Sequence, residues 1–135
     1  SWCVWPKSST FVAMKELLCV CLGSFVGGGL RHLVAKWLPL VVPAAAFPYA
    51  TLVVNVVGCF LIGVFTTLFG SGSLSPAARA LLVTGFCGGL TTFSTFMNEN
   101  VLMARDGQLL TAAAYTVVSL ILGMAALVLG CHVAR

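Results

Sequence analysis

Hydrophobic residues dominate the chain in four long stretches, and the short connections between them carry glycine, proline or polar residues. A transmembrane helix needs about 20 predominantly apolar residues to cross the hydrocarbon core of a bilayer. Each stretch has that length, so the pattern predicts an all-α membrane protein with four spans in one domain, after an irregular N-terminal tail at 1–10. The approximate spans are 11–38, 49–69, 76–105 and 109–133.

The third stretch contains residues that disfavour a continuous helix. Its middle, Gly85–Phe96, reads GFCGGLTTFSTF, and Gly88 and Gly89 each weaken a helix by about 1 kcal/mol relative to alanine. Irregular backbone survives in lipid only where protein or water covers it. We therefore predict a third helix that is broken mid-membrane, facing a buried ion site or a pore. The alternative is close packing through small residues, with hydroxyl bonds between helices. The hydroxyls belong to Thr91, Thr92, Ser94 and Thr95.

Composition excludes several classes of function. Of the 135 residues, 60% are hydrophobic and 7% are charged, whereas a soluble domain has about 25% charged residues. The net charge of +4 contains no basic run, so nucleic acid is not an expected partner. The three acidic residues and two histidines are too few for most hydrolytic or metal-dependent chemistry, so we do not expect an enzyme. The six cysteines form no CxxC pair and are expected to be mainly small core residues.

A few strongly polar residues stand inside the apolar stretches. Arg31 either pairs within the protein or extends toward the interface near Trp37. Asn55 needs partners for its amide, either as a bond between helices or in a site. Glu99 follows the predicted break by about one turn, and we expect it on a solvated face.

Positive charges are distributed almost evenly between the two sides of the predicted membrane domain. Four against three gives little preference for either orientation under the positive-inside rule. A small chain that inserts both ways can pair with itself as an antiparallel, closed two-fold dimer. One side holds Lys7, Lys15, Arg79 and Arg135, and the other holds Arg31, Lys36 and Arg105.

Three motifs carry a resemblance to a known family. They are GGGLRHL in the first span, TLVVNVVGCFLIG in the second and GFCGGLTTFSTF in the third. From about Gly23 to Leu129 the chain resembles the Fluc (CrcB-type) fluoride ion channels. The resemblance implies a dual-topology, antiparallel homodimer in the cell inner (plasma) membrane. It also implies two fluoride pores at the dimer interface and a buried structural sodium ion at its centre.

The resemblance further implies roles for individual residues along the pores. Asn55 matches a pore-lining asparagine, and Phe93 and Phe96 match paired phenylalanines whose ring edges face the anion. Polar positions at the vestibule, near the permeation path and along the polar track of span four are matched as well. These are Arg31 at the vestibule, Thr51 and Glu99 near the path, and Tyr115 and Ser119 on the track.

The resemblance also implies a sodium site, and at one position this chain differs from some members of the family. Gly88 and Thr91 match the positions whose backbone carbonyls hold sodium. A further serine, one turn beyond Ser119 in some members, is Gly123 in this chain. The length of the hydroxyl track is therefore an open question.

The chemistry of these residue types fits passive fluoride conduction. Fluoride is small and strongly hydrated, so removing its water requires dense hydrogen-bond donors. Aromatic ring edges are electropositive and complement an anion without a full charge. Conduction needs binding that is weak enough for the ion to leave. Because neither an embedded carboxylate nor a nucleotide loop is evident, we expect flux without proton or ATP coupling.

Two other classes of function are weighed against the channel. A small dual-topology exporter of cations or drugs needs a membrane-embedded carboxylate in span one, and the only candidate, Glu16, lies at the entrance beside Lys15. The other class is a membrane subunit that transports nothing. The combination of hydroxyls and aromatic rings at the predicted break favours the channel over both.

Overall fold

The structure is a computed structural model that describes residues 9–42, 47–70, 72 and 75–135. All regular secondary structure in these residues is helical. Most of the predicted tail lies outside the described residues, but the first helix already begins at Ser9, before the predicted start. The elements are α1 (Ser9–Val41), α2 (Tyr49–Gly70), α3 (Pro76–Arg79), a π-helical segment (Ala80–Cys87), α4 (Gly88–Leu90), α5 (Phe93–Arg105) and α6 (Leu109–Val133).

Four helical stretches of the described residues are long and apolar enough to cross a membrane, which confirms the predicted number of spans. They run over Thr10–Val41, Tyr49–Gly70, Pro76–Arg105 and Leu109–Val133. Their outer surfaces are apolar: Phe25 and Leu110, for example, are 81% and 85% exposed. The chain is a multi-pass membrane protein.

The first helix extends beyond its predicted end at residue 38. Proline inside a helix removes one backbone hydrogen bond and usually bends or ends the helix, which is why the prediction placed a loop from Pro39 onward. The structure instead carries α1 through Pro39 to Val41. The amide of Val42 donates to Leu38 O at 2.9 Å, so helical hydrogen bonding resumes after the proline.

The third span is assembled from four consecutive helical pieces. Ser75 caps its start, because the Ser75 hydroxyl accepts from the amide of Ala78 at 3.2 Å and Pro76 fills the first helical position. The π-helical segment follows α3 directly. The Ser24 hydroxyl of α1 donates to the carbonyl of Gly85 within this segment at 3.3 Å.

Glycines allow α1 to approach the third span closely. Gly23 and Gly27 on α1 face Gly85 and Gly89, so each helix contributes two glycines four residues apart. A Cβ at any of the four would collide with backbone atoms of the other helix. This is the small-residue packing by which membrane helices associate without a hydrophobic driving force.

The second and fourth spans pack in the same manner, and a small core fills the space beside them. Gly63 of α2 lies against the backbone of α6, and Gly130 of α6 lies against the backbone of α2. The buried core cluster joins α5 to α6 and consists of Phe96, Met103, Ala112 and Tyr115. These contacts join α2 to α6, and α6 to α5, which is the last piece of the third span.

Candidate functional site

The third span is interrupted at two threonines rather than at the glycines. Gly88 and Gly89 lie inside α4, whereas Thr91 and Thr92 have extended backbone with ψ of 155° and 121°. The Thr92 hydroxyl accepts from the amide of Thr95 at 3.3 Å and so caps the start of α5. The extended backbone thus falls inside the predicted stretch Gly85–Phe96 but at its threonines, while Gly88 stays helical and Gly89 packs against α1. Whether the interruption lies at mid-membrane depth stays a prediction.

The interruption diverts amides from the carbonyls they would meet in a continuous helix. The amide of Thr92 donates to Asn55 Oδ1 at 2.8 Å instead of to Gly88 O. The amide of Thr95 donates to the Thr92 hydroxyl instead of to Thr91 O. Among the described residues, no other donor replaces these two, so the carbonyls of Gly88 and Thr91 keep lone pairs for another ligand.

Two residues from other spans pair with the interrupted backbone. Arg31 of α1 donates from Nε to Gly89 O at 3.1 Å, and so satisfies one carbonyl at the end of α4. Asn55 of α2 bonds Thr92 twice, since its Nδ2 donates to Thr92 O at 3.2 Å while its Oδ1 accepts the Thr92 amide. Of the two alternatives for Arg31, the structure has pairing within the protein rather than extension toward the interface. Arg31 pairs within the protein, and Asn55 is a bond between spans.

The two phenylalanines after the interruption are neighbours in different surroundings. The ring centroids of Phe93 and Phe96 are 6.2 Å apart. Phe93 is 74% exposed on this chain, whereas Phe96 is 7% exposed. The ring of Phe96 packs on that of Tyr115 with centroids 4.9 Å apart. Phe96 is thus held by its own chain, and Phe93 projects from it.

A polar cluster surrounds Tyr115, which is completely buried. The Tyr115 hydroxyl donates to Glu99 Oε1 at 3.2 Å. The buried side chain of Thr51 lies beside both of these groups. Glu99 is half-buried in this cluster, so its expected place on a solvated face was wrong. It also lies in the third helical stretch, Pro76–Arg105, and the expectation of no membrane-embedded carboxylate stays a prediction.

The polar face of α6 continues from Tyr115 for one further turn. Ser119 has a buried hydroxyl that lacks a hydrogen-bond partner among the described residues. At the next turn, a Cβ on Gly123 would lie 3.5 Å from Cys59 Sγ, which is an ordinary contact distance. The chain therefore has room for a small side chain at Gly123 but places a thiol beside it instead of a hydroxyl.

Two adjoining cavities lie between α1, α2 and the interruption. The first has a volume of about 280 Å³ and is lined by Arg31, His32, Thr51, Thr92 and Thr95 among others. The second has a volume of about 290 Å³ and includes Glu99 in an otherwise mostly apolar wall. Thr51 and Thr95 line both cavities. The first therefore offers a cation and several hydroxyls to a small anion, and the second ends at a carboxylate.

Residues 18–131 match the model of a protein family described as CrcB-like protein, Camphor Resistance (CrcB). The chain belongs to this family. It is 51% identical over 121 residues to the fluoride-specific ion channel FluC of Chlorobium chlorochromatii (strain CaD3), covering 89% of this chain and 92% of the relative. The corresponding protein of Prosthecochloris aestuarii (strain DSM 271 / SK 413), with the same name, is 47% identical over 122 residues, which cover 90% and 94% of the two chains. That of Flavobacterium psychrophilum (strain ATCC 49511 / DSM 21280 / CIP 103535 / JIP02/86) is 40% identical over 126 residues, covering 90% and 98%.

Within this CrcB-like chain, the residues expected to form a site fall into connected groups. One group surrounds the interruption and a second follows the core beside α6. Thr51 lies beside Tyr115 of the second group and lines the first cavity. Phe93 stands apart because most of its ring is exposed. The first group consists of Arg31, Asn55, Gly88 and Thr91, and the second of Phe96, Tyr115 and Ser119.

Sequence reasoning missed one polar pair of this CrcB-like protein. Asn100 Oδ1 accepts from the Thr116 hydroxyl at 2.9 Å, joining α5 to α6 directly beside the core cluster. Both residues are polar residues in apolar stretches of the sequence, and this is the feature from which a need for polar partners could have been inferred. Their pairing depends on the register of α5 against α6, which a single sequence does not contain.

Proposed function

We propose that this CrcB-like protein is a passive, fluoride-selective ion channel that exports cytoplasmic fluoride across the inner (plasma) membrane. The observation that carries the proposal is 51% identity over 121 residues to a relative named fluoride-specific ion channel FluC. The physiological need would arise when HF enters a cell from acid surroundings and dissociates in the more alkaline cytoplasm. A channel then relieves the trapped anion down its electrochemical gradient.

Hydrogen-bond donors near the interruption support an anion path. Asn55 uses one Nδ2 hydrogen on Thr92 O and keeps a second for a ligand. Ser119 has a buried hydroxyl without a protein partner, and buried polar groups rarely remain unpaired. The Tyr115 hydroxyl is directed at Glu99, so an anion receives that proton only by displacing the carboxylate. The path in this proposal runs past Asn55, the phenylalanine rings and the track on α6.

Aromatic edges and a vestibule complete the proposed path. Phe93 and Phe96 would present the electropositive edges of their rings to the ion. Arg31 lines the first cavity while its Nε is bonded to Gly89 O, so its outer guanidinium hydrogens remain available to attract an anion. Thr51 lines both cavities and would guide the ion between them. No full charge touches the ion at the rings, which keeps binding weak enough for release.

The proposed assembly is an antiparallel homodimer with two pores and a central structural sodium. Carbonyl oxygens suit a hard cation, and the diverted amides leave those of Gly88 and Thr91 without their helical donors. A two-fold axis through this point would bring together two carbonyls from each chain. Sodium removal should then reduce both assembly and flux, and unchanged assembly and flux in sodium-free medium would refute the site.

Passive conduction requires a direct test because Glu99 lies within the third span. A carboxylate inside a span is the group that proton-coupled transporters use. Purified protein would be placed in liposomes loaded with fluoride, and efflux would be followed with a fluoride electrode, first with no pH gradient and then with one imposed. Protein-free liposomes report the HF leak.

The expected result is rapid fluoride efflux down its gradient, with negligible chloride efflux. An imposed pH gradient should add no more fluoride movement than it does in protein-free liposomes. Absence of protein-dependent efflux would reject the channel. Protein-dependent accumulation of fluoride against its electrochemical gradient would instead establish proton coupling.

A further inference from the structure

Asn100 connects the backbone of Phe96 to the fourth span. Its Nδ2 donates to Phe96 O at 2.9 Å, one turn earlier on α5. Its Oδ1 accepts from the Thr116 hydroxyl of α6 at 2.9 Å. One side chain therefore holds the peptide carbonyl of Phe96 at one end and a neighbouring helix at the other.

The direction of these bonds fixes the orientation of the amide. If the amide were turned over, Oδ1 would face the carbonyl oxygen of Phe96, and two acceptors would meet. The Thr116 hydroxyl has a single proton and also lies 3.0 Å from Ala112 O. Asn100 Oδ1 is therefore in competition with the backbone carbonyl that a helical threonine commonly uses. When the Thr116 hydroxyl donates to Asn100 instead of to Ala112 O, its proton links α6 to α5.

This bridge lies next to the ring contact of Phe96. Tyr115, whose ring packs on Phe96, directly precedes Thr116, and Glu99, which accepts from Tyr115, directly precedes Asn100. Adjacent residues of α5 thus bond adjacent residues of α6 at the level of the ring. Asn100 and Thr116 also line a groove of about 470 Å³ whose walls are mostly apolar. Loss of either partner would leave the other polar group facing apolar surroundings, where an unpaired group is costly.

We propose that Asn100 and Thr116 form a clamp that positions the Phe96 ring for the anion. This role rests on the proposed channel function, because it matters for transport only if Phe96 faces the ion. The Asn100–Thr116 clamp fixes the rotation of α5 against α6 at the point where the ring projects. Phe93 is largely exposed, and neither Asn100 nor Thr116 bonds its backbone. The two phenylalanines are therefore positioned by different means.

Four variants test the clamp in the full-length protein. Thr116→Val keeps the shape of the side chain and removes the hydroxyl, and Thr116→Ser restores the hydroxyl. Thr111→Val makes the same change on α6 at a threonine that has no side-chain hydrogen bond with another described residue. Asn100→Ala removes the clamp from the other helix and serves if Thr116→Val fails to assemble.

The first readout follows ring position without reference to transport. 4-Fluorophenylalanine would be incorporated at Phe96 or at Phe93, and the ¹⁹F spectrum of the purified protein recorded. With the label at Phe96, Thr116→Val and Asn100→Ala should shift or broaden the resonance, Thr116→Ser should return it, and Thr111→Val should leave it unchanged. The label at Phe93, whose ring centroid lies 6.2 Å from that of Phe96, should change less than the label at Phe96 in both clamp variants. An unchanged Phe96 resonance in both clamp variants, or an equal change with Thr111→Val, overturns the clamp.

The second readout is fluoride efflux per assembled protein. Loss of one hydrogen bond should lower efflux about threefold to tenfold in Thr116→Val, with recovery in Thr116→Ser and wild-type efflux in Thr111→Val. Wild-type efflux in Thr116→Val and Asn100→Ala together refutes the positioning role. If the wild-type protein itself conducts no fluoride, the proposed function fails and takes the transport role of the clamp with it. An unchanged ¹⁹F spectrum in a conducting protein refutes the clamp alone.

Discussion

The two phenylalanines after the interruption differ in what holds them. Phe96 is packed on Tyr115 inside the core, and its backbone carbonyl is bonded by Asn100. Phe93 is 74% exposed and touches Phe96 at a ring separation of 6.2 Å. A substitution at Phe96 therefore changes the fold of the chain as well as any pore, whereas a substitution at Phe93 changes mainly what meets its exposed face.

Aliphatic and alanine substitutions separate these two effects. Phe96→Ala should cost about 3–5 kcal/mol of unfolding free energy because it leaves a cavity in the core, and Phe93→Ala should cost much less. Phe93→Ile and Phe96→Ile keep most of the volume but remove the ring edge. We expect both to assemble and to lose most of their fluoride efflux. Stability is measured by unfolding in detergent and efflux per assembled dimer in liposomes.

The pairing of the two assays decides the roles of the rings. Leu52, a partly buried aliphatic residue packed against the same core, supplies a control as Leu52→Ile, which should retain efflux. Wild-type efflux in both phenylalanine-to-isoleucine variants would show that the rings only pack.

At the residue scale, the sequence identifies polar residues that need partners but does not identify the partners. Asn55 and Arg31 stood out because each is strongly polar in an apolar stretch. That both bond the same interruption depends on how three spans pack. Glu99 was assigned to a solvated face from its distance along the chain, and the structure turns it toward Tyr115. The distance along the chain gives the position of a residue along the helix axis. Which neighbour its side chain faces depends on how the helices pack.

At the scale of elements, the third span is shaped by contacts with the other spans. Two glycines of α1 and two of the third span meet so closely that a Cβ on any of the four would strike backbone of the other helix. They are Gly23, Gly27, Gly85 and Gly89. The glycines of GFCGGLTTFSTF could be recognised as exceptional from the sequence, but their use in packing could not be distinguished from helix breaking. Similarly, Pro39 was expected to end α1, yet hydrogen bonding resumes at Val42. Local propensities are weak when a neighbouring helix or a following turn supplies the missing contacts.

Two neighbouring glycines of α1 provide a matched test of this packing. Gly27→Ala should destabilise the protein, because its Cβ would overlap the carbonyl of Phe86 in the third span. Gly29→Ala meets nothing within 4 Å and should be neutral, or stabilising by up to about 1 kcal/mol through helix propensity. Thermal unfolding in detergent compares the two. Equal stability of both variants would contradict the close approach of α1 to the third span.

At the scale of the whole molecule, a single chain leaves many large apolar side chains on its outer surface. Phe25, Leu40 and Leu110 are all at least 81% exposed, as expected where lipid or a second copy covers a membrane protein. The number of spans was predictable because apolar length alone decides it. The apolar pattern does not predict how copies of the chain assemble. In the sequence, only the near-even distribution of positive charge bears on that assembly.

Even charge predicts that the chain inserts in both orientations. A reporter that is active only in the cytoplasm and one that is active only outside, each fused after Arg135, should both give signal. Three lysines inserted after Gly72 should bias the orientation and lower efflux per protein, because antiparallel partners become scarce. Three glutamines inserted at the same place should change neither the orientation of the chain nor its efflux. Signal from only one reporter would rule out the antiparallel pair.

Arg31 and Asn55 bond the interruption from spans one and two, and both precede it in the chain. During synthesis from the N-terminus, these two groups are in the bilayer before the third span leaves the ribosome. We therefore expect the partners of the polar backbone at Thr91 and Thr92 to be present in the membrane when that backbone enters it. A rearranged gene that placed the third span first would expose that backbone during insertion, so the order of the spans is itself a means by which the cell can build an interrupted helix in a membrane.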